Sequence, residues 1–553
     1  MSDDFALAEF LFPEDGPEAD YESLYPRRAV SEGVMVTRFA PSPTGFLHIG
    51  GVYTALINER FAHQSGGRVL LRIEDTDRKR EIEKGAEMIL EALSQFRVFF
   101  DEGVTAEAGE GGGETGVYGP YRQSLRGRVY RDHVKALIRR GKAYPSFATT
   151  GELEELRRRQ EALGADPGYY GEWALDRDLT FEEIRAKAAA GAPYVVRLRS
   201  PGSPGERVGY QDLIKGPLEM QANVQDVVIL KTDGLPTYHF AHVVDDHWMG
   251  VTHVLRADEW LASAPVHLQL FEAMGWAPPQ YGHIAPVLKA EGSSRRKLSK
   301  RKDPEAAASY YAELGFPEEA VREYLMMLMN SNYEEWRMER PDAPLEEFPV
   351  SFDRMSAGGA LLDMNKLADV SKNFIAGLSK EDLYRRIYDW ARRYRPDFAD
   401  ILDSDPGYGA EVFHIEREAA SPRKDIAKWA DGPEVFGYFF DSVFEGAAEA
   451  RGPLYPEGMK DEDVRAILRA YADVADVADD KNAWMEKIRV LCDGLGYARD
   501  KKTYKKAPEA YKGQIGDVTM VIRVALAGRR TSPDLYEMMR VMGRERVAAR
   551  LGA

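Results

Sequence analysis

A single cysteine, Cys492, stands in 553 residues. No internal disulfide can form, and no structural zinc site resting on two or more thiolates is available. A reducing compartment, the cytoplasm, is the expected setting. Apolar runs approaching the roughly 20 residues that span a bilayer are absent, and Asp3, Asp4 and Glu9 stand where a secretory signal carries positive charge. Export and membrane insertion are disfavoured. Positive charge is in deficit as well: 74 Lys and Arg against 91 Asp and Glu leave a formal charge of −17. An evenly basic nucleic-acid-binding surface is thereby excluded, and any such contact depends on local clusters. Repeats and long heptad runs are missing, which removes solenoids and coiled coils. At roughly 150 residues per domain, the length predicts three or four domains.

Residues 1–33 carry eight carboxylates before the first arginine, Arg27, with Pro13, Gly16 and Pro26 as breakers. An acidic, flexible extension is expected there. From Val34 the pattern alternates. Val34–Phe39 reads as a strand, Pro41 to Gly45 as a turn, and Ile49, Val52, Tyr53, Leu56, Ile57 and Phe61 as the apolar face of a helix opening near His48. Val69–Ile73 reads as a second strand, followed by a helical pattern from Ile82 to Phe96. Strand, helix, strand, helix predicts a parallel sheet with right-handed crossovers. The stretch 101–225 interrupts this order, beginning with the glycine run 109–113 and including a charged helical stretch, Leu153–Leu163. Alternation resumes with Val227–Leu230, Val251–Leu255, a helix over Trp260–Met274 and His283–Leu288. The expected organisation is an α/β Rossmann-type domain in two halves, 34–100 and 226–290, split by an inserted α/β domain, 101–225. A basic loop and connecting region, 291–345, and an all-helical half, 346–553, complete it.

The loop after the first strand of such a sheet, running into a helix, aims free backbone N–H groups and the positive end of the helix dipole at whatever lies above it, most often phosphate. Here it ends in His48-Ile-Gly50-Gly51, where glycine admits close approach and imidazole supplies a donor. A second feature, Arg295–Lys302, holds six positive charges in eight residues after the last strand, where a flexible loop would swing two ammonium groups onto a polyphosphate. A third places Glu74, Asp75 and Asp77 at the binding edge of the second strand, with helix capping as the alternative use of Asp75 or Asp77. The string Thr37-Arg-Phe-Ala-Pro-Ser-Pro-Thr-Gly-Phe-Leu-His-Ile-Gly-Gly51 closely resembles the first signature of the class I aminoacyl-tRNA synthetases, in the form found in the bacterial glutamyl family. Lys297-Leu-Ser-Lys-Arg301 matches the second signature of that family. Asp233–His247 and Arg256–Trp260 are similar to it too. The resemblance covers about 34–375 and returns at Val524–Gly528 and Ser532–Asp534.

The resemblance implies activation of L-glutamate by ATP with Mg²⁺ and its transfer, through glutamyl-adenylate, to the 3′-terminal adenosine of tRNA(Glu). Matching positions give His48, Lys297 and Lys300 catalytic roles. They give ATP contacts to His48, Gly50, Glu259, Trp260, Lys297, Ser299 and Lys300, and glutamate contacts to Arg38, Ser42, Glu74, Tyr238, His242 and Arg256. Arg38 is the partner expected for the side-chain carboxylate, because a planar guanidinium pairs with it bidentately. No dedicated metal ligands are evident, which suits an ion held by phosphates and water. Two positions depart from the pattern: His242 stands where relatives commonly have asparagine, and Ser146 and Ala148 replace the cysteine pair that binds zinc in some relatives, so no structural zinc is expected. The partners expected are tRNA(Glu), glutamate and ATP, on a monomer with no membrane contact. Anticodon reading falls to the helical half, with Arg499, Lys501, Lys502, Lys505 and Lys506 interleaved with Tyr497 and Tyr504 as candidates for phosphate contact and base stacking.

Glutaminyl-tRNA synthetase is disfavoured by the Ala40–Gly45 loop and the helical C-terminal half. A shorter paralogue that modifies a tRNA base is disfavoured by length. An inactive tRNA-binding relative has no need to keep His48, Lys297 and Lys300. A small-molecule adenylyltransferase has no use for some 200 helical residues beyond the sheet.

Overall fold

A computed structural model of the protein describes residues 3–13, 19–106, 113–446 and 454–552. The glycine run 109–113 lies outside these except for Gly113. The chain divides into two compact units, Met1–Tyr310 with Arg322–Asp363, and Tyr311–Val321 with Met364–Ala553. Among the described residues no helix is long and apolar enough to cross a membrane.

The first correction concerns the N-terminus. A helix, Asp3–Leu11, buries Leu7, Ala8 and Leu11. With Phe12, Tyr21 and Tyr25 they join Tyr130, Val134, Leu137 and Ile138 of the helix Gly127–Arg139 in one core. Asp3 and Asp4 in its first turn favour the dipole. Glu9 bridges Lys135 at 2.9 Å and Arg139 at 2.6 Å, and Tyr21 Oη donates to Asp132 at 2.6 Å. Arg28 then grips Glu102 with both Nη groups (2.7 and 2.6 Å) and donates to the Met249 carbonyl through Nε at 2.7 Å. Acidic composition alone predicts a solvated tail; the apolar positions Leu7, Ala8 and Leu11, and the cations that meet Glu9 from over a hundred residues downstream, dock it instead. Leu11→Ala is expected to destabilise this unit by about 2–3 kcal/mol, read as a lower urea midpoint with unchanged helical content.

The parallel sheet forms with small shifts in most of its bounds, but Glu102–Thr105, which lies in the stretch 101–225 expected as the insertion, belongs to the sheet, because it pairs with the strand Arg68–Leu71. Strands β1 (Val36–Phe39), β2 (Arg68–Leu71) and β3 (Glu102–Thr105) pair in parallel, as do β4 (His253–Ala257) and β5 (Gln280–Ile284). Thr252 N–H donates to the Val36 carbonyl at 3.0 Å, which sets β4 beside β1. The order is therefore 3-2-1-4-5, and the strand order reverses between β1 and β4, where such sheets bind ligands at the carboxyl ends of the strands. The turn into β2 needs Gly67, because a Cβ there would lie 1.9 Å from the Met35 carbonyl oxygen. The helix Ile49–Gln64 returns the chain from β1 to β2, with Asn58 fixed by carbonyls of Thr54 and Leu255.

Val228–Leu230 does not complete this sheet. It pairs antiparallel with Val195–Leu198, which pairs with Ala143–Ser146. Its apolar run was compatible with either sheet. A second part of the inserted stretch, the hairpin Arg207–Asp212 with Gly216–Gln221, attaches to the edge of β5 through Asp212 opposite Tyr281. At the cysteine-substituted positions, Ser146 Oγ donates to Asp176 at 3.1 Å and the Ala148 N–H donates to the same carboxylate at 3.0 Å. The second unit is helical, from Met364–Ala376 to Leu535–Leu551, around Trp390, Trp429, Phe436, Trp484 and their neighbours. The helical half thus begins at Met364, since Ala360–Leu361 still pairs with Val287–Leu288.

Candidate active site

The crevice at the β1/β4 junction opens into a cavity of about 480 Å³. Its lining brings together Arg38, Ser42, His48, Gly50, Glu74, Tyr238, Arg256, Glu259, Trp260, Lys297 and Lys300. These residues come from six places in the chain, 38–42, 48–50, 74, 238, 256–260 and 297–300. Two expected members, His242 and Ser299, do not line it.

His48 caps the helix Ile49–Gln64. Its backbone is extended, and its Nδ1 accepts the Gly50 N–H at 2.9 Å. Nδ1 therefore carries no proton, and the neutral ring presents Nε2–H as its donor. Burial, followed by the charges of Lys300 and Lys297, pushes the imidazole pKa down to about 4. Gly50 is suited to this cap, since a Cβ there would sit 3.1 Å from His48 Nδ1.

The basic loop is better anchored than expected. Ser294–Lys297 pairs antiparallel with Val287–Glu291, and Asp303 ties down the turn. Asp303 takes Arg296 bidentately (2.6 and 2.8 Å), the Ser299 N–H at 2.9 Å and Lys289 at 3.1 Å. Hydrogen bonding from Arg296 holds its carboxyl well below the usual range. The Ser299 backbone is used inside the turn, its N–H donated to Asp303 and its carbonyl accepting the Lys302 and Asp303 N–H groups, and the residue is not among those lining the cavity. Lys297 and Lys300 are the two members of the loop whose ammonium groups reach the cavity. Lys297 meets the Glu259 carboxylate, and Lys300 donates to the Phe46 carbonyl at 2.6 Å. Burial lowers the pKa of Lys300.

On the opposite side, Arg38 is buried and donates through Nε to Asp246 at 3.1 Å. Among the described residues nothing takes its two Nη groups. Asp246 also receives Arg72 at 2.6 Å. Burial alone would raise the Asp246 pKa, but Arg38 and Arg72 outweigh it and hold it far below normal. Behind it Asp245 receives Arg126 (2.6 Å), Tyr130 (2.8 Å) and Gln123 (2.9 Å). His242 lies beneath this site. Its Nε2 is 3.1 Å from Tyr281 Oη, and its Nδ1 is 2.9 Å from Asp246 without the alignment of a hydrogen bond. Burial, only partly offset by Asp246, drops its pKa to about 3. It is a neutral support of Asp246 and no wall of the pocket. Glu74 accepts Arg72 at 3.2 Å, and burial lifts its pKa to about 7 despite that cation. Tyr238 lies against Trp260, ring centroids 4.0 Å apart, and its hydroxyl accepts Arg256 Nη1 at 3.4 Å.

Seven residues that the signature strings do not mark as site residues support those that line the cavity: Arg72, Asp245, Asp246, Asp303, His267, His283 and Asp212. The first three had a readable signal: charge set inside apolar strings, Leu70-Leu-Arg72-Ile73 and Val243-Val-Asp-Asp246, implies buried, paired charge. Outside the cavity one expectation fails. Tyr497 is 2 % exposed and packed into the helical core, so it offers no ring to a base, and Arg499 is paired with Glu486 at 2.9 Å. Lys501, Lys502, Lys505 and Lys506 are exposed on or beside one short helix.

A parallel nucleotide-binding sheet with a capped first helix, a lysine-bearing loop across from it and an insertion between its halves defines a class I aminoacyl-tRNA synthetase. Residues 34–359 match the family model described as the catalytic domain of tRNA synthetases class I (E and Q), and residues 498–553 match an anticodon binding domain. The glutamate–tRNA ligase of Clostridium perfringens strain 13 is 48% identical over 547 residues, 99% of each chain. That of Acetivibrio thermocellus is 45% identical, over 99% of this chain and 98% of its own. Among solved structures, a glutamate tRNA ligase from Elizabethkingia meningosepticum superposes with a TM-score of 0.72 at 28% identity, covering 94% of this chain and 99% of that one. The chain belongs to the glutamate–tRNA ligase family.

Proposed function

We propose that this cavity performs the ATP-dependent attachment of L-glutamate to the 3′-terminal adenosine of tRNA(Glu), in the cytoplasm and as a monomer. The observation that carries this reading is Arg38: a buried guanidinium anchored by Nε on Asp246, with both Nη groups unclaimed at the cavity wall. That geometry suits a side-chain carboxylate and discriminates against an amide, whose NH2 end donates and cannot accept the second bond of the fork. Glu74 meets the substrate ammonium, and Tyr238 and Arg256 the α-carboxylate. The α-carboxylate attacks the α-phosphorus of ATP and pyrophosphate leaves; His48 Nε2–H, Lys297 and Lys300 stabilise the added charge. Glu259 and Trp260 border the adenosine. Mg²⁺ accompanies ATP as a counter-ion to the phosphates; among the described residues no group of three or more His, Cys, Asp and Glu side chains forms a ready cage for it. After activation, the terminal ribose hydroxyl attacks the mixed anhydride and AMP leaves.

Charging of purified tRNA(Glu) and tRNA(Gln) with labelled glutamate tests the assignment. Glutamylation of tRNA(Glu) supports it, and charging with glutamine in preference to glutamate would overturn it. The Glu74 environment gives a second test. The carboxylate must be charged to receive an ammonium group, and its free-enzyme pKa is about 7. Protonation therefore removes the site as pH falls: kcat/KM for glutamate is expected to drop about tenfold per pH unit below about 7 and to level off above it. Glu74→Gln should lower the plateau and abolish that limb.

A further inference from the structure

Arg256 is held differently from Arg38. Its Nε donates to His283 Nε2 at 3.1 Å, its Nη1 to His267 Nδ1 at 3.1 Å and to Tyr238 Oη at 3.4 Å, and its Nη2 to the Trp260 carbonyl at 3.3 Å. Four of the five guanidinium N–H groups are thus assigned, and one on Nη2 remains for a ligand. None of the four partners is a carboxylate, and among the described residues Arg256 forms no ion pair. It lines the cavity with its charge uncompensated.

The acid that belongs to this group stands one step further back. Asp212 Oδ2 lies 2.6 Å from His283 Nδ1, both side chains fully buried. A carboxylate only accepts, so Nδ1 carries the proton and Nε2 is left as a bare acceptor facing Arg256. Asp212 cannot turn away: its Oδ1 accepts the backbone N–H groups of Ile214, Lys215 and His283 at 3.0, 2.9 and 3.3 Å. It closes the strand Arg207–Asp212 of the inserted hairpin exactly where that strand meets β5.

We propose that Asp212 and His283 are positioning residues for glutamate recognition, fixing the orientation of Arg256 while leaving its charge free for the substrate α-carboxylate. The physical reason for two residues where one acid would do is neutralisation. A carboxylate placed directly on Arg256 and on no other cation would orient it and offset much of its charge; the acid on Arg38, Asp246, divides its charge between Arg38 and Arg72. A neutral imidazole interposed between them transmits orientation alone. Burial lowers the His283 pKa, which keeps the ring neutral next to the guanidinium. The inference rests on the reading of Arg256 given above.

The test uses the full-length enzyme with tRNA present and separate KM values for glutamate, ATP and tRNA. His283→Ala is expected to raise KM for glutamate about tenfold, one charge-assisted bond, while KM for ATP and tRNA stay within about threefold. His283→Gln, whose carboxamide oxygen supplies an acceptor without a tautomer to fix, should recover to within about threefold of the parent. Asp212→Asn should raise KM for glutamate about fivefold in the parent but less than about twofold in the His283→Gln background, the non-additivity of a linked pair. Equal losses on all three substrates, an unchanged KM for glutamate in a folded His283→Ala, or equal effects of Asp212→Asn in both backgrounds would overturn the relay. If His283→Ala does not fold, the comparison of the other two variants decides. Arg256→Ala separates the two levels: an unaffected KM for glutamate there overturns the reading of Arg256 itself, whereas a large effect there with none from His283→Ala overturns only the relay.

Discussion

Arg38→Gln is expected to lower kcat/KM for glutamate by roughly 10² to 10⁴-fold with the fold intact. The two Nη groups that face the cavity would form two charge-assisted bonds, each worth about 1.5–3 kcal/mol, so about 3–6 kcal/mol is lost at about 1.4 kcal/mol per decade. The fold survives because Asp246 keeps its 2.6 Å bond to Arg72 and its contact with His242, so no buried carboxylate is stranded. Glutamine at Arg38 retains one donor able to reach Asp246. Lys is the harsher comparison in geometry but milder in charge: it keeps the cation as a point and loses the fork, so Arg38→Lys should fall between the parent and Arg38→Gln. Pyrophosphate exchange in the presence of tRNA measures activation, and near-ultraviolet circular dichroism checks the fold. Near-normal exchange in Arg38→Gln would remove the substrate carboxylate from this corner.

The parts legible in the sequence are those governed by local rules. The helix Ile49–Gln64 opens where His48 and the paired glycines place it, and β1, β2, β4 and β5 lie within a few residues of their apolar runs. The motif residues converge because signature strings at the carboxyl ends of parallel strands face one crevice. What was illegible depends on partners distant in sequence. The acidic N-terminus becomes a packed helix because Leu7, Ala8 and Leu11 are buried and Lys135 and Arg139 meet Glu9. Val228–Leu230 goes to the inserted sheet because Val195–Leu198 offers it an edge. Residues that touch no substrate but orient those that do, such as Asp303 under the lysine loop or Asp246 under Arg38, carry no motif of their own. Asp246 is betrayed by the cost of an unpaired charge in an apolar string, whereas Asp303, set among charged residues, has no such signal.

Lys300→Ala should cut kcat for activation by about 10² to 10³-fold, with a smaller change in KM for glutamate. The magnitude is that of deleting one preorganised charged donor aimed at a developing phosphoryl charge. Lys300 qualifies as preorganised on three counts. Its Nζ is held on the Phe46 carbonyl, two residues before His48. Its loop is pinned through Asp303. Desolvation lowers the pKa of its ammonium, which stands at the cavity edge close to the charge that develops. Lys300→Arg keeps the charge and should recover part of the rate. A second readout is independent of turnover. Lys300 is the foremost charge that, after burial itself, depresses the His48 pKa to about 4. Removing it should move the His48 titration upward, measurable by NMR on a histidine-labelled enzyme. A kcat within about fivefold of the parent, together with an unmoved His48 titration, would place Lys300 outside the electrostatics of the site. A depressed kcat with an unmoved His48 would leave its catalytic role standing and its proximity to the imidazole refuted.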